Sequence, residues 1–151
     1  MLSGCSVETS NVIPPKEENQ FEELVVNNLK YEVNENCISY NIENKGNIPI
    51  YTGMAYYIEQ YNESSGWIKT DLTDNLAFIE IAIVIEPEKN YLDRIDLSNM
   101  GKLKDGYYRI VKEFIINENK ILQYIQIEVK NNEVMNMKSY NEKFVGNINT
   151  K

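Results

Sequence analysis

Apolar and polar residues alternate with a period of two along most of the chain. Ile38, Tyr40 and Ile42 alternate with Ser39, Asn41 and Glu43, the pattern of a strand with one buried face. Further strands are expected over 51–61, which is rich in Tyr and Ile, and at 67–69. Another is expected where Ile79, Ile81, Ile83 and Ile85 alternate with Glu80, Ala82, Val84 and Glu86, and others over 91–97, 107–116 and 121–130. Turn residues separate these runs: Asn44-Lys45-Gly46-Asn47, the Asn62 to Gly66 stretch and the Pro87 region. Asn117-Glu118-Asn119-Lys120 reads as a four-residue hairpin connection.

The pattern amounts to about seven short strands with no long helical run between any pair, which disfavours a parallel sheet with crossover helices. The expected fold is all-β: an immunoglobulin-like antiparallel β-sandwich over residues 29–130. An OB-type barrel uses about five longer strands and fits less well. Leu103, Gly106 and Tyr108 have the arrangement of a tyrosine corner, in which the Tyr108 hydroxyl bonds back to nearby backbone and pins the entry to the penultimate strand. Trp67 is expected as the central core aromatic.

The two ends break the alternation. Residues 1–28 read as a tether, with Pro14-Pro15 favouring extended backbone. Phe21, Leu24, Val25 and Leu29 fall near helical spacing, which leaves one short helix open. Residues 131–151 read as a polar C-terminal tail that is either disordered or packs one extra element.

Composition narrows the function. The 151 residues carry 15 Lys+Arg against 23 Asp+Glu, a net charge of −8, so a nucleic-acid partner is not expected. There is no His, which removes the Ser-His and Cys-His nucleophile systems and His-ligated metals. Two Cys cannot build a four-thiolate site. No Gly-rich phosphate loop or nucleophile elbow is present. Asp71, Asp74 and Asn75 offer hard oxygen donors without EF-hand spacing and read as a solvated loop. Glu80 and Glu86 read as solubilising surface. No catalytic residue, metal or cofactor is expected.

Tyr is frequent, at 11 residues, and Tyr56, Tyr57, Tyr61 and Trp67 gather around one hairpin. Tyr56, Tyr57 and Tyr61 are the candidate ligand contacts, because flat amphipathic rings stack on sugars and protein partners. Arg109 shares a strand face with Tyr107 and Val111 and is placed to stack on a Tyr ring, whereas Lys112 falls on the other face. Cys37 reads as a partly buried free thiol.

The stretch from Trp67 to Phe114 resembles a bacterial immunoglobulin-like domain found in Gram-positive surface lipoproteins and sensor ectodomains. The resemblance rests on Gly66-Trp67, Ala77-Phe78, Pro87, Ile95-Asp96-Leu97-Ser98, Leu103 and, above all, Gly106-Tyr107-Tyr108-Arg109-Ile110-Val111-Lys112. It covers about residues 28–130, with Asp105 where the family often has Pro and Glu88 where it often has Gly. It implies a non-enzymatic interaction or accessory module.

Leu2-Ser3-Gly4-Cys5 matches a bacterial lipobox, whose Cys takes a diacylglycerol. A signal peptide has a basic n-region and an apolar h-region, so the expectation is that a leader precedes this segment and that Met1 stands in its place. Lipidation of Cys5 implies an anchor in the membrane and a position on its extracellular face. The 21 Asn, with abundant Ile and Lys, suit a low-GC Gram-positive genome. The expected partners are the membrane through the lipid, and an unidentified protein or a cell-wall glycan.

Overall fold

The structure is a computed structural model, and it describes residues 13–145. Among the described residues ten strands form two antiparallel sheets. They are β1 (Leu24–Glu32), β2 (Cys37–Asn44), β3 (Ile50–Thr52), β4 (Tyr57–Asn62), β5 (Gly66–Lys69), β6 (Ile83–Ile85), β7 (Asn90–Asp96), β8 (Gly106–Ile116), β9 (Asn119–Lys130) and β10 (Glu133–Lys143). The smaller sheet has the order β1-β2-β7. The seven-stranded sheet runs β10-β9-β8-β3-β6, with β4 on the remaining length of β8 and β5 beside β4. No helix among the described residues is long and apolar enough to cross a membrane.

The two sheets face each other across one core, as a β-sandwich must if each is to bury its apolar face. Ile38, Tyr40, Ile42 and Ile95 come from the small sheet, and Ile50, Ile110, Phe114 and Ile125 from the large one, all of them buried. Period-two alternation produces this directly: Tyr108, Ile110, Phe114 and Ile116 lie on one face of β8.

Five parts of the chain differ from the sequence expectation. The 51–61 run is not one strand, because Gly53-Met54-Ala55 interrupts it and β3 and β4 pair separately with β8. In the 79–86 run only Ile83–Ile85 enters a ladder, while a tight bond from Ile81 N to Ile79 O turns the chain just before it.

The tether and the tail need larger corrections. Residues 24–32 are strand, not helix. A bulge between Asn27 and Lys30, with Asn28 at φ 56°, shifts the parity so that Val26 and then Leu29 and Tyr31 face the core. Pro14 is buried, and Gln20 and Phe21 dock on β10, so the folded part begins well before residue 29. Residues 133–143 are strand β10, the extra element that the reading of a polar tail leaves open. Asn131 and Asn132, at φ 55° and 63°, form a two-residue hairpin turn of the left-handed kind that Asn tolerates. Asn117 and Glu118 do the same between β8 and β9, in place of a four-residue connection.

Asn141 closes the fold. It is fully buried. Its Oδ1 accepts from Phe21 N at 2.7 Å, and its Nδ2 donates to Phe21 O and Leu24 O at 3.1 Å each. Gln20 N also donates to Asn141 O at 2.9 Å. One side chain therefore ties the start of the described chain to its last strand.

Candidate functional site: the outer face of the large sheet

On the solvent side of the large sheet, strand register sets side chains in rows. Tyr57, Val111, Tyr124 and Tyr140 are consecutive cross-strand neighbours. Beside them run Lys69, Glu59, Arg109, Gln126 and Lys138. Val111, Leu122, Tyr124 and Tyr140 form a second apolar cluster, with Tyr57 packed against it. It stays buried although no helix among the described residues covers it, because long side chains lie across it. Lys69 Nζ sits 4.9 Å from the Tyr57 ring centre, and Lys138 Nζ 5.8 Å from that of Tyr140.

Arg109 organises the face. Its guanidinium carbon lies 3.9 Å from the Tyr124 ring centre and 4.5 Å from that of Trp67. Its Nε donates to Glu59 Oε1 at 2.5 Å and its Nη1 to the Tyr140 hydroxyl at 3.2 Å. The Tyr140 hydroxyl in turn donates to Gln126 Oε1 at 2.9 Å, and the Tyr124 hydroxyl to Glu142 Oε2 at 2.5 Å. Burial, reinforced by the bond to Glu142, holds the Tyr124 phenol far above its ordinary value. The network is a rigid aromatic and charged platform.

Where β3 and β4 part, a trough of about 490 Å³ opens on this face. Its floor is Val111, Glu113 and Ile115 of β8, and its walls include Tyr51, Tyr57 and Lys69. It presents apolar surface with a few polar groups, as binding clefts do. Among the described residues no three acidic or Cys side chains come together as a metal site would require.

The three candidate Tyr residues are presented differently, although Tyr56 and Tyr57 both line the trough and Tyr57 and Tyr61 share one face of β4. Tyr57 points outward into the trough. Tyr56 packs against the core and meets Phe78 edge-on, with ring centres 5.0 Å apart; burial first, then the nearby charges of Asp96 and Asp93, push its phenol up to about 12. Tyr61 meets Trp67 edge-on at 5.2 Å, at the far end of the hairpin. Trp67 is not the central core aromatic. It lies half-buried on the outer face, because β5 is an edge strand and the register puts Trp67 opposite Tyr61, on the face of Arg109. Its Nε1 is buried without an acceptor.

The remaining positions are structural in placement. The Tyr108 hydroxyl donates to Lys104 O at 2.9 Å, Leu103 is buried with its N–H bonded to Asn132 Oδ1, and Gly106 holds φ 149°, which only glycine adopts readily. Cys37 is fully buried, and burial pushes its thiol up. Asp71, Asp74 and Asn75 lie exposed in a turn. Cys5 lies outside the described residues.

Two polar clusters were not among the sequence candidates. One is Asn141. The other is Lys112 of β8, whose Nζ lies 3.1 Å from Asp93 Oδ2 of β7, with the Tyr40 hydroxyl donating to the same oxygen at 2.7 Å. All three are buried on the core side. Strand parity was the available signal, since Lys112 shares its face with Ile110 and Phe114, and Asp93 with Ile95.

The sequence profile of a family described as bacterial Ig-like domain matches residues 17–133. No curated protein and no solved structure matches the chain.

Proposed function

From the premise that the chain belongs to the bacterial Ig-like domain family, we propose that it is a non-enzymatic surface module, lipid-anchored through Cys5, that binds its ligand on the outer face of the seven-stranded sheet. The observation that carries the binding reading is the trough of about 490 Å³ beside the Arg109 platform. Its walls are pre-formed by strand pairing and ring packing, so little ordering is lost on binding.

The anchor reading is supported by Leu2-Ser3-Gly4-Cys5. Because Pro14 is already buried against the fold, only eight residues lie between it and Cys5, a reach of at most about 32 Å. The module would sit close to the bilayer on its extracellular side. The ligand is an unidentified protein or a cell-wall glycan. Tyr51, 45% exposed at the trough, supports the glycan alternative.

Two measurements test this. The gene is expressed with its native upstream codons in a Gram-positive host, and the protein from the membrane fraction is weighed intact; a chain starting at Cys5 plus diacylglycerol is expected, and an unmodified soluble chain overturns the anchor. A Cys5→Ser protein is then titrated with wall-glycan fragments and with surface-protein ectodomains. Binding that shifts the Tyr57 and Lys69 resonances and weakens at least tenfold in Tyr57→Ala is expected. Binding that leaves those resonances unmoved overturns the site.

A further inference from the structure

The β6 side of the large sheet is open. β6 ends the order β10-β9-β8-β3-β6 and pairs on one side only, with β3. Just before it, residues 77–82 run outside any ladder, and Ile81 N to Ile79 O at 3.2 Å is the backbone bond made there among the described residues. Ile79 and Ile81 are 68% and 51% exposed. On the outer face Val84, Tyr51 and Ile115 stand directly beside one another across β6, β3 and β8, and all three are exposed. Folded proteins usually blunt a free edge with Lys, Pro or a covering segment. β10 follows that rule, since Gln20 and Phe21 lie on it. The β6 edge instead leaves Val84, and Ile79 and Ile81 before it, uncovered, which marks an interaction surface.

Charge identifies the occupant. The side chains flanking the edge, Glu80 and Glu86, are acidic and exposed, on a chain of net charge −8. A second copy would bring like charge to like charge, whereas a strand carrying Lys or Arg would be drawn in. We propose that the β6 edge takes up an extended segment of another protein, alternating apolar and basic residues. The added strand bonds to β6 through its backbone, extending the sheet, and sets an apolar side chain in line with Val84, Tyr51 and Ile115. This rests on the reading of this face as a binding surface and adds the class of partner and the mode of contact.

The probes are three synthetic decapeptides: alternating Lys and Val, alternating Glu and Val, and the Lys-Val peptide with alternate backbone nitrogens methylated. Each is titrated into the 15N-labelled full chain carrying Cys5→Ser. The Lys-Val peptide is expected to shift and protect the amides of residues 81–85, the Glu-Val peptide to do neither, and N-methylation to weaken binding at least tenfold. Glu80→Lys with Glu86→Lys should reverse the preference between the charged peptides. Equal binding of the methylated peptide, equal response to both charges, or no response at 81–85 overturns the proposal. Shifts confined to Tyr57 and Val111 would also overturn it while leaving the trough as a ligand site. Sedimentation showing that the free chain dimerises through this edge would assign the edge to a second copy and overturn it as well.

Discussion

Lys112 Nζ and Asp93 Oδ2 meet at 3.1 Å inside the core, so an ion pair joins the two sheets of the sandwich. Both side chains are buried, and Tyr40 completes the hydrogen bonding of the carboxylate. Removing one partner leaves an uncompensated charge in apolar surroundings. Lys112→Met should therefore cost about 3–5 kcal/mol, while Lys112→Met with Asp93→Leu should recover much of that loss. Urea unfolding of the two variants at neutral pH checks this; equal losses would remove the coupling.

Asn141→Ala should destabilise by about 2–4 kcal/mol, because it strands the polar backbone of Phe21 and Leu24 and opens a buried site. Amide exchange at Phe21 should accelerate beyond what global stability explains, marking local release of residues 20–24. A uniform change across the sandwich would contradict the closing role of this side chain.

Tyr108→Phe keeps the ring and removes the bond to Lys104 O. A loss of about 0.5–1.5 kcal/mol is expected, with the fold retained. Urea midpoints measure it, and an unchanged midpoint would show that the corner contributes nothing.

Alkaline pH should weaken the fold through its phenols. Burial first, then the Asp96 and Asp93 charges, push Tyr56 up to about 12, so the folded state favours the neutral ring. Stability from this group is complete below the ordinary phenol value of about 10 and is lost as pH rises from there through about 12. In Tyr56→Phe the fall of the urea midpoint over that range should be shallower. An identical slope would show that Tyr56 does not titrate abnormally.

Cys37 should resist modification. It is fully buried, and burial pushes its thiol up, so the reactive thiolate is scarce. In a Cys5→Ser protein, Ellman's reagent should find no thiol until denaturant is added; rapid reaction under native conditions would contradict the burial.

β2, β7, β8 and β9 were legible, since each sends apolar residues to the core at period two with no bulge in the β2–β7 or β8–β9 ladder. β1 and β10 were not, and bulges explain both. A register shift between Val134 and Asn136 breaks the parity of β10, and its inner side includes Ser139 and the buried Asn141, so no apolar period survives. In β1 the bulge at Asn28 shifts the core-facing set to Leu24, Val26 and Leu29, so no period of two survives and the Leu24, Val25 and Leu29 spacing mimics a helix. Asn131-Asn132 looked like the start of a tail because a left-handed hairpin turn and a polar linker use the same residues. Of the site, Tyr57 was reached by composition alone. The inward packing of Tyr56 follows from its parity opposite to Tyr57, whereas the placement of Trp67 depends on β4 pairing with the distant β8 and leaving β5 at the edge. Lys112 and Asp93 were signalled only by strand parity, which sets each in a row of core-facing apolar residues although a charged side chain by itself reads as solvated.

The Asn141 contact also defines a load path. Tension drawn through the N-terminal segment is met, after the buried Pro14, by the bonds that Asn141 and Gln20 make between residues 20–24 and β10. β10 is held in turn along its length by β9, and β9 by β8. A pull at one end of the chain is thus shared with the longest strands of the sandwich before β1 can be peeled from β2.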